Sequence, residues 1–256
     1  MLKKLGFLIV LIIALMGGLI FSPPASWITQ ILDLSTQKIF TFADTRGSVW
    51  NGSVIIAKPH GLEGQAVSIL PGRFSWKLSP KLFLGLIEVE IHNPDVLKDS
   101  IIVKGRWNNY QLASSTIKIP SEKLKEIGAP FNTIDPSGEL ELSWTEIIIM
   151  FFDNSLPKIY GKMTLDLNNI ATKLSPIKPL GHYRMEFDWN GDSGEMELKT
   201  KEGPLLLSGK GEIAPGRFQF MGQARAGREK KQLKNLMNLL GQWETIAGEE
   251  VISLKF

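Results

Sequence analysis

The chain has 256 residues, with 29 lysines and arginines against 26 aspartates and glutamates, and no cysteine. Lys3 and Lys4 supply two of the three net positive charges, so the part after Trp27 carries only +1, far from the concentrated basic face that nucleic-acid binding needs. Without cysteine, disulfides and thiolate metal sites are excluded, and the fold must hold by its core alone.

Behind Lys3 and Lys4, Leu5 to Phe21 contains no charged or strongly polar side chain. At ~1.5 Å per helical residue the run reaches ~26 Å, close to the hydrocarbon thickness of a bilayer. Two lysines before the span and none shortly after it predict a cytoplasmic N-terminus. Residues 1–26 then read as a cytoplasmic stub and transmembrane anchor, and 27–256 as an exported domain. The rival is a cleaved signal peptide. Cutting after Ala25 or Ser26 puts Pro23 or Pro24 where a small residue belongs, which favours the anchor. Topology is the same either way.

Beyond the anchor, period-two alternation dominates, the mark of sheets with one apolar and one wet face. It is clear at Ile87–Ile91, Leu140–Trp144, Met163–Leu167 and Tyr183–Trp189. Further strands are predicted at Ser48–Ala57, Arg73–Leu78, Ile101–Trp107, Glu195–Lys199, Leu205–Ile213 and Phe218–Ala226. Asn190-Gly191 and Pro215-Gly216 carry turn chemistry between alternating runs, as do Pro71-Gly72 and Asp135–Gly138. The fold class is therefore mainly β: an antiparallel meander with few helices, as a sandwich or a curved open sheet.

Two helices are predicted. Glu229–Trp243 places Leu233, Leu236, Met237 and Leu240 on one stripe, and Ser121–Ile127 begins at a capping serine. Ile147–Phe152 fits a buried strand or a helix equally. Lys77-Leu78-Ser79-Pro80 recurs as Lys173-Leu174-Ser175-Pro176, followed in both places by Leu-Gly and an alternating strand, which suggests repeat halves at 44–130 and 135–256.

No constellation of catalytic chemistry stands out. His60, His92 and His182 are far apart, and Gly209-Lys210-Gly211 lacks the spacing of a phosphate loop. Glu88 with Glu90, and Glu195 with Glu197, are same-face acid pairs of the kind usually just solvated. The sequence gives no reason to expect an enzyme, a metal or a cofactor.

The glycines and aromatics are more telling. Gly47-Ser48-Val49-Trp50-Asn51-Gly52 resembles the opening motif of the type II secretion system protein N family, also called general secretion pathway protein N. Phe74–Pro80, with Trp76, is similar to its next landmark. Pro179-Leu180-Gly181-His182-Tyr183-Arg184, Gly203-Pro204-Leu205 through Gly209-Lys210-Gly211, and Gly216–Ala224 with Gly222 continue the likeness across nearly the whole chain. The resemblance implies a single-span inner-membrane protein with a periplasmic β domain, an accessory to export of folded proteins in Gram-negative bacteria. It implies no catalytic residues. Its partners would be other components of that machinery, on the inner-membrane platform or the secretin side, and the lipid bilayer around the anchor. Gly47, Trp50, Gly52, Trp76, Gly181, Gly203, Pro204, Gly209, Gly211 and Gly222 are the motif positions it marks for interaction. The alternative role is a lipid- or hydrophobe-binding module using a curved apolar sheet.

Overall fold

Alternation sends successive side chains to opposite faces of a strand, so a chain rich in it folds into sheets that are dry on one side and wet on the other. The computed structural model describes residues 22–36, 40–58, 67–121, 123, 135–153, 155–227, 230–246 and 248–255. The expected span Leu5–Phe21, His60 and most of the expected helix Ser121–Ile127 lie outside them. Two compact units result, one ending at Asp95 and one beginning at Val96; that boundary falls inside the first expected repeat half.

In the first unit, helix α1 (Ser26–Ser35) precedes β1 (Thr41–Gly47), β2 (Asn51–Lys58), β3 (Val67–Ser68), β4 (Phe74–Leu78) and β5 (Ile87–His92). All pairings are antiparallel: β1 with β2, β2 with β3 and β4, β4 with β5. Val54, Ala57, Ile69 and Phe74 are its buried apolar residues on and around these strands. A 3-10 turn, Pro80–Leu84, joins β4 to β5; the Ser79 hydroxyl accepts the Lys81 N–H at 3.3 Å and so caps it. Helix α1 is an element the sequence reading did not predict.

The second unit runs β6 (Ile101–Arg106), β7 (Asn109–Leu112), β8 (Ser115–Pro120), β9 (Ser137–Trp144), β10 (Ile147–Met150), β11 (Lys158–Ala171), β12 (Gly181–Gly191), β13 (Ser193–Glu202), β14 (Leu205–Ala214), β15 (Arg217–Ala226), α2 (Lys230–Leu240), β16 (Trp243–Ile246) and β17 (Glu249–Lys255). It is an antiparallel meander. The β7 and β8 stretch lies beside β10 and β9, these lie beside β11, and β11 to β15 follow in order to β17. The ambiguous Ile147–Phe152 run resolves as strand through Met150. The turns follow their chemistry: Pro215-Gly216 closes Ala214 on Arg217, while the β12–β13 turn sits one residue later than expected, at Gly191-Asp192.

Register makes the two faces explicit. Lys118, Glu141, Asp166, Arg184, Lys199, Ser208, Gln223 and Ser253 form one row across eight strands. One residue away, Ile117, Leu142, Leu165, Met185, Leu198, Gly209, Gly222 and Leu254 form the neighbouring row on the other face. Helix α2 closes this apolar face at its β15–β17 end. Leu233, Leu236 and Met237 are buried there with Ala224, Ala226, Ile252 and Leu254, where the alanines leave room for the helix. Farther from α2, Leu142, Leu165, Met185 and Leu198 are only half-buried.

Glycine shapes the floor of that core. Phe220 is buried, and its ring lies where side chains of the surrounding strands would stand. A Cβ at Gly222 would come 2.7 Å from Phe220 Cε1, one at Gly209 2.8 Å from Cε2, and one at Gly211 3.2 Å from Cδ2. The same seating recurs with Trp189 over Gly194, at 2.7 Å, and in the first unit with Trp76 over Gly52. An aromatic ring thus replaces the missing side chains of its neighbours, the arrangement known as aromatic rescue. Gly209→Ala should destabilise the chain by about 1–3 kcal/mol through overpacking. In a Phe220→Leu background the added cost of Gly209→Ala should shrink, as chemical denaturation of the four variants would show.

Candidate functional site

The sequence-marked positions gather into three groups, and in each the geometry is that of packing. In the first unit, Gly47 pairs with Gly52 across the β1–β2 hairpin. Trp76 lies over Gly52 and donates its indole N–H to the Val49 carbonyl at 2.9 Å. Trp50 packs on Phe83 with ring centroids 5.2 Å apart.

The second group is a clasp at the ends of β12, β13 and β14. Gly181 and Gly203 stand so close that a Cβ on Gly203 would meet the Gly181 Cα and come 2.6 Å from the Leu180 carbonyl oxygen. The Leu205 N–H donates to the Leu180 carbonyl at 3.1 Å, and Gly227 N–H donates to Pro204 carbonyl at 2.7 Å. Both leucines are buried. The Tyr183 hydroxyl has one proton and two carbonyls within reach, Leu180 at 3.1 Å and Leu205 at 3.0 Å. Burial pushes this phenol well above its ordinary range, so it stays protonated and structural. Gly209, Gly211 and Gly222, under Phe220, are the third group.

The histidines do not converge. His92 ends β5 in the first unit, and His182 lies in β12, where its Nδ1 accepts the Asn169 N–H at 3.4 Å. Among the described residues no group of three or more histidines and carboxylates is placed to hold a metal.

Chemistry that strand spacing alone could not bring together lies on the polar face of β11 to β15. Side chains there surround a depression of about 820 Å³, with Glu186, Asp188, Glu195, Glu197 and Glu212 facing Lys162 and Lys210. Asp188, Glu195 and Glu212 sit directly opposite one another on three successive strands, and Glu186 opposes Glu197. Like charges in such positions repel and destabilise a sheet. Lysines offset part of this: Lys162 reaches Asp188 at 3.0 Å, and Lys199 reaches Glu197 at 2.7 Å and Glu186 at 3.7 Å. The hydrogen bond from Lys199 holds the Glu197 carboxyl below the usual range. Lys210 comes within 3.9 Å of Glu197. Within the depression itself, five carboxylates against Lys162 and Lys210, with Lys199 beside them, leave a local excess of negative charge. Same-face pairs such as Glu195 with Glu197 are legible in sequence; their stacking across strands needs the register.

Beside the depression, Arg184 forks onto Asp166 with two hydrogen bonds of 2.8 Å, and Lys201 adds one of 2.7 Å. The strands β14 and β15, which carry Gly209, Gly211 and Gly222, lie inside the sheet, β14 between β13 and β15, and β15 between β14 and β17. Gly203–Ala226 therefore lies largely within the sheet, with β15 joined to β17 from Met221 to Ala224.

The family model for type II secretion system, protein N, matches residues 40–245. The chain belongs to this family. The match takes in residues of both compact units and every motif position from Gly47 to Gly222, and the expected anchor lies outside it. No curated protein and no solved structure matches the chain. Family membership gives it a role in type II protein secretion, in company with other components of that system. Among the described residues no helix is long and apolar enough to cross a membrane.

The Asp166 cluster makes a pH prediction. Arg184 beside Asp166 holds its carboxyl below the usual carboxylate range, Lys201 assists, and burial works against both. A depressed folded value contributes stability above pH ~4 that is lost as pH falls through it. Asp166→Asn should cost about 0.5–1 kcal/mol at neutral pH, kept small because the two cations are partly exposed. The gap in Tm between wild type and variant should narrow below pH ~4.

Proposed function

We propose that the chain is a non-enzymatic assembly component of the type II secretion machinery, held at the bacterial inner membrane by Leu5–Phe21. Its N-terminus is cytoplasmic and the β units lie in the periplasm. The tether confines the domain to the membrane, which raises its effective concentration near other membrane-held parts of the apparatus. Family membership carries this reading, because that family is defined by its place in secretion.

The docking surface is the acidic depression on the polar face of β11 to β15. Repulsion along Asp188, Glu195 and Glu212 is relieved when a partner brings cationic side chains to that row, so the partner's matching surface is basic. A second reading rests on the half-buried row Leu142, Leu165, Met185 and Leu198, which offers apolar surface to a lipid or other hydrophobe. Phospholipid co-purifying with the chain would favour it.

Site-specific cross-linking in intact cells tests the main reading. Glu195→Lys with Glu212→Lys should abolish cross-links from this face to other secretion proteins while leaving Tm equal or slightly higher. An unchanged cross-linking pattern counts against the docking face. A reporter fused after Phe256 should be active only outside the cytoplasm; activity inside it defeats the proposed topology.

A further inference from the structure

Alternate hairpins of an antiparallel meander point to the same end of the sheet, and register identifies which ones share it. Met150 pairs with both Asn109 and Lys158, Ile159 pairs with Gly191, and Gly194 pairs with Ile213. The β6–β7, β10–β11, β12–β13 and β14–β15 connections therefore lie together at one end of the second unit.

That end holds apolar side chains out in water. Trp107 is 80% exposed and Leu156 59%, with Phe218, Phe151 and Phe152 close to half exposed. Trp107 also sits at φ +48°, a left-handed conformation that bulky residues adopt only at a cost. Glycine or asparagine would serve the turn better, so turn geometry does not account for the indole. The tip is nonetheless firmly built. Phe151 N–H donates to the Asn108 carbonyl at 2.7 Å, and the Tyr110 hydroxyl donates to the Trp107 carbonyl at 3.1 Å. Tyr110 meets Phe151 edge-on with centroids 5.6 Å apart.

Cations accompany the rings. The Lys158 ammonium stands 5.5 Å from the centre of the Phe152 ring, and Lys104 and Arg106 are exposed in the strand leading to Trp107. Against these three, the described residues of the β6–β7 and β10–β11 turns carry one acid, Asp153, and the neighbouring β12–β13 and β14–β15 tips add Asp192 and Arg217, which offset each other. An indole, phenyl rings and ammonium groups on adjoining tips are the composition that a boundary between water and hydrocarbon selects.

We propose that this end of the second unit docks on the surface of an anionic phospholipid bilayer. Trp107 lies at headgroup depth, Phe151, Phe152 and Leu156 enter the upper acyl region, and Lys104, Arg106 and Lys158 meet lipid phosphates. The contact is separate from the docking of secretion partners and does not depend on it.

The absence of cysteine allows a clean test with the full chain in proteoliposomes. A polarity-sensitive fluorophore is placed at Asn108→Cys, and in a second protein at Lys178→Cys, before the start of β12 and ~35 Å away along that strand. In phosphatidylcholine vesicles containing phosphatidylglycerol, the label at position 108 should shift to the blue. Lipid-borne spin labels should quench it at least about threefold more than the label at 178. Phe151→Ser with Phe152→Ser, or omission of phosphatidylglycerol, should reduce that quenching. Equal quenching at the two positions, quenching indifferent to the Phe151/Phe152 change, or burial of the 108 label only when a secretion protein is added would each overturn the proposal.

Discussion

Phe220 can lie across its neighbouring strands only because Gly209, Gly211 and Gly222 raise no side chain against it, and the packing of the second unit depends on that contact. A ring laid flat fills the space of several absent side chains and keeps the strands at close approach. Met196, Leu205 and Leu254 pack in the same buried cluster as the ring, and α2 seals it with Leu233, Leu236 and Met237. The clasp of Gly181 against Gly203, tied by Tyr183, fixes where β12 and β14 start relative to one another. Family-motif glycines thus act on the geometry of the sheet, and through it on everything displayed by the sheet.

What is displayed follows from register. A slip of one residue would carry Met185 and Leu198 to the wet side and Glu186 and Glu197 into the core. The same pairing that sets Phe187 against the buried Met196 therefore aligns Asp188 with Glu195 and Glu212 on the opposite face. The electrostatic cost of that acidic row is carried by the apolar face behind it. Core and surface are two consequences of one set of strand pairs.

Much of this was legible in the sequence. Alternating runs announced β5, β9, β11 and β12, because apolar and polar side chains take opposite faces of each strand. Leu233, Leu236 and Met237 announced α2 by their helical spacing. Elements without a clean period were not legible: α1 was not predicted, and β17 reads Glu-Glu-Val-Ile-Ser-Leu-Lys, where Val251 and Ile252 are both buried and alternation fails. The motif glycines were visible but their role was not, since the ring that occupies each vacancy comes from elsewhere in the chain, from Trp76 for Gly52 and from Phe220 for Gly209. The acidic row and the aromatic hairpin tips were hidden for the same reason. Each joins residues from several strands, and only pairing brings them side by side.

The central claim is that the motif glycines act by letting the sheet close, so the deciding measurement compares function with folding. Export of a secreted protein would be followed in cells carrying Gly52→Ala, Gly181→Ala or Gly222→Ala, together with the amount of protease-resistant, folded chain. The account predicts that export falls only in proportion to the folded protein lost, and recovers at lower temperature as folding recovers. Loss of export from cells that retain the full amount of folded chain would contradict it.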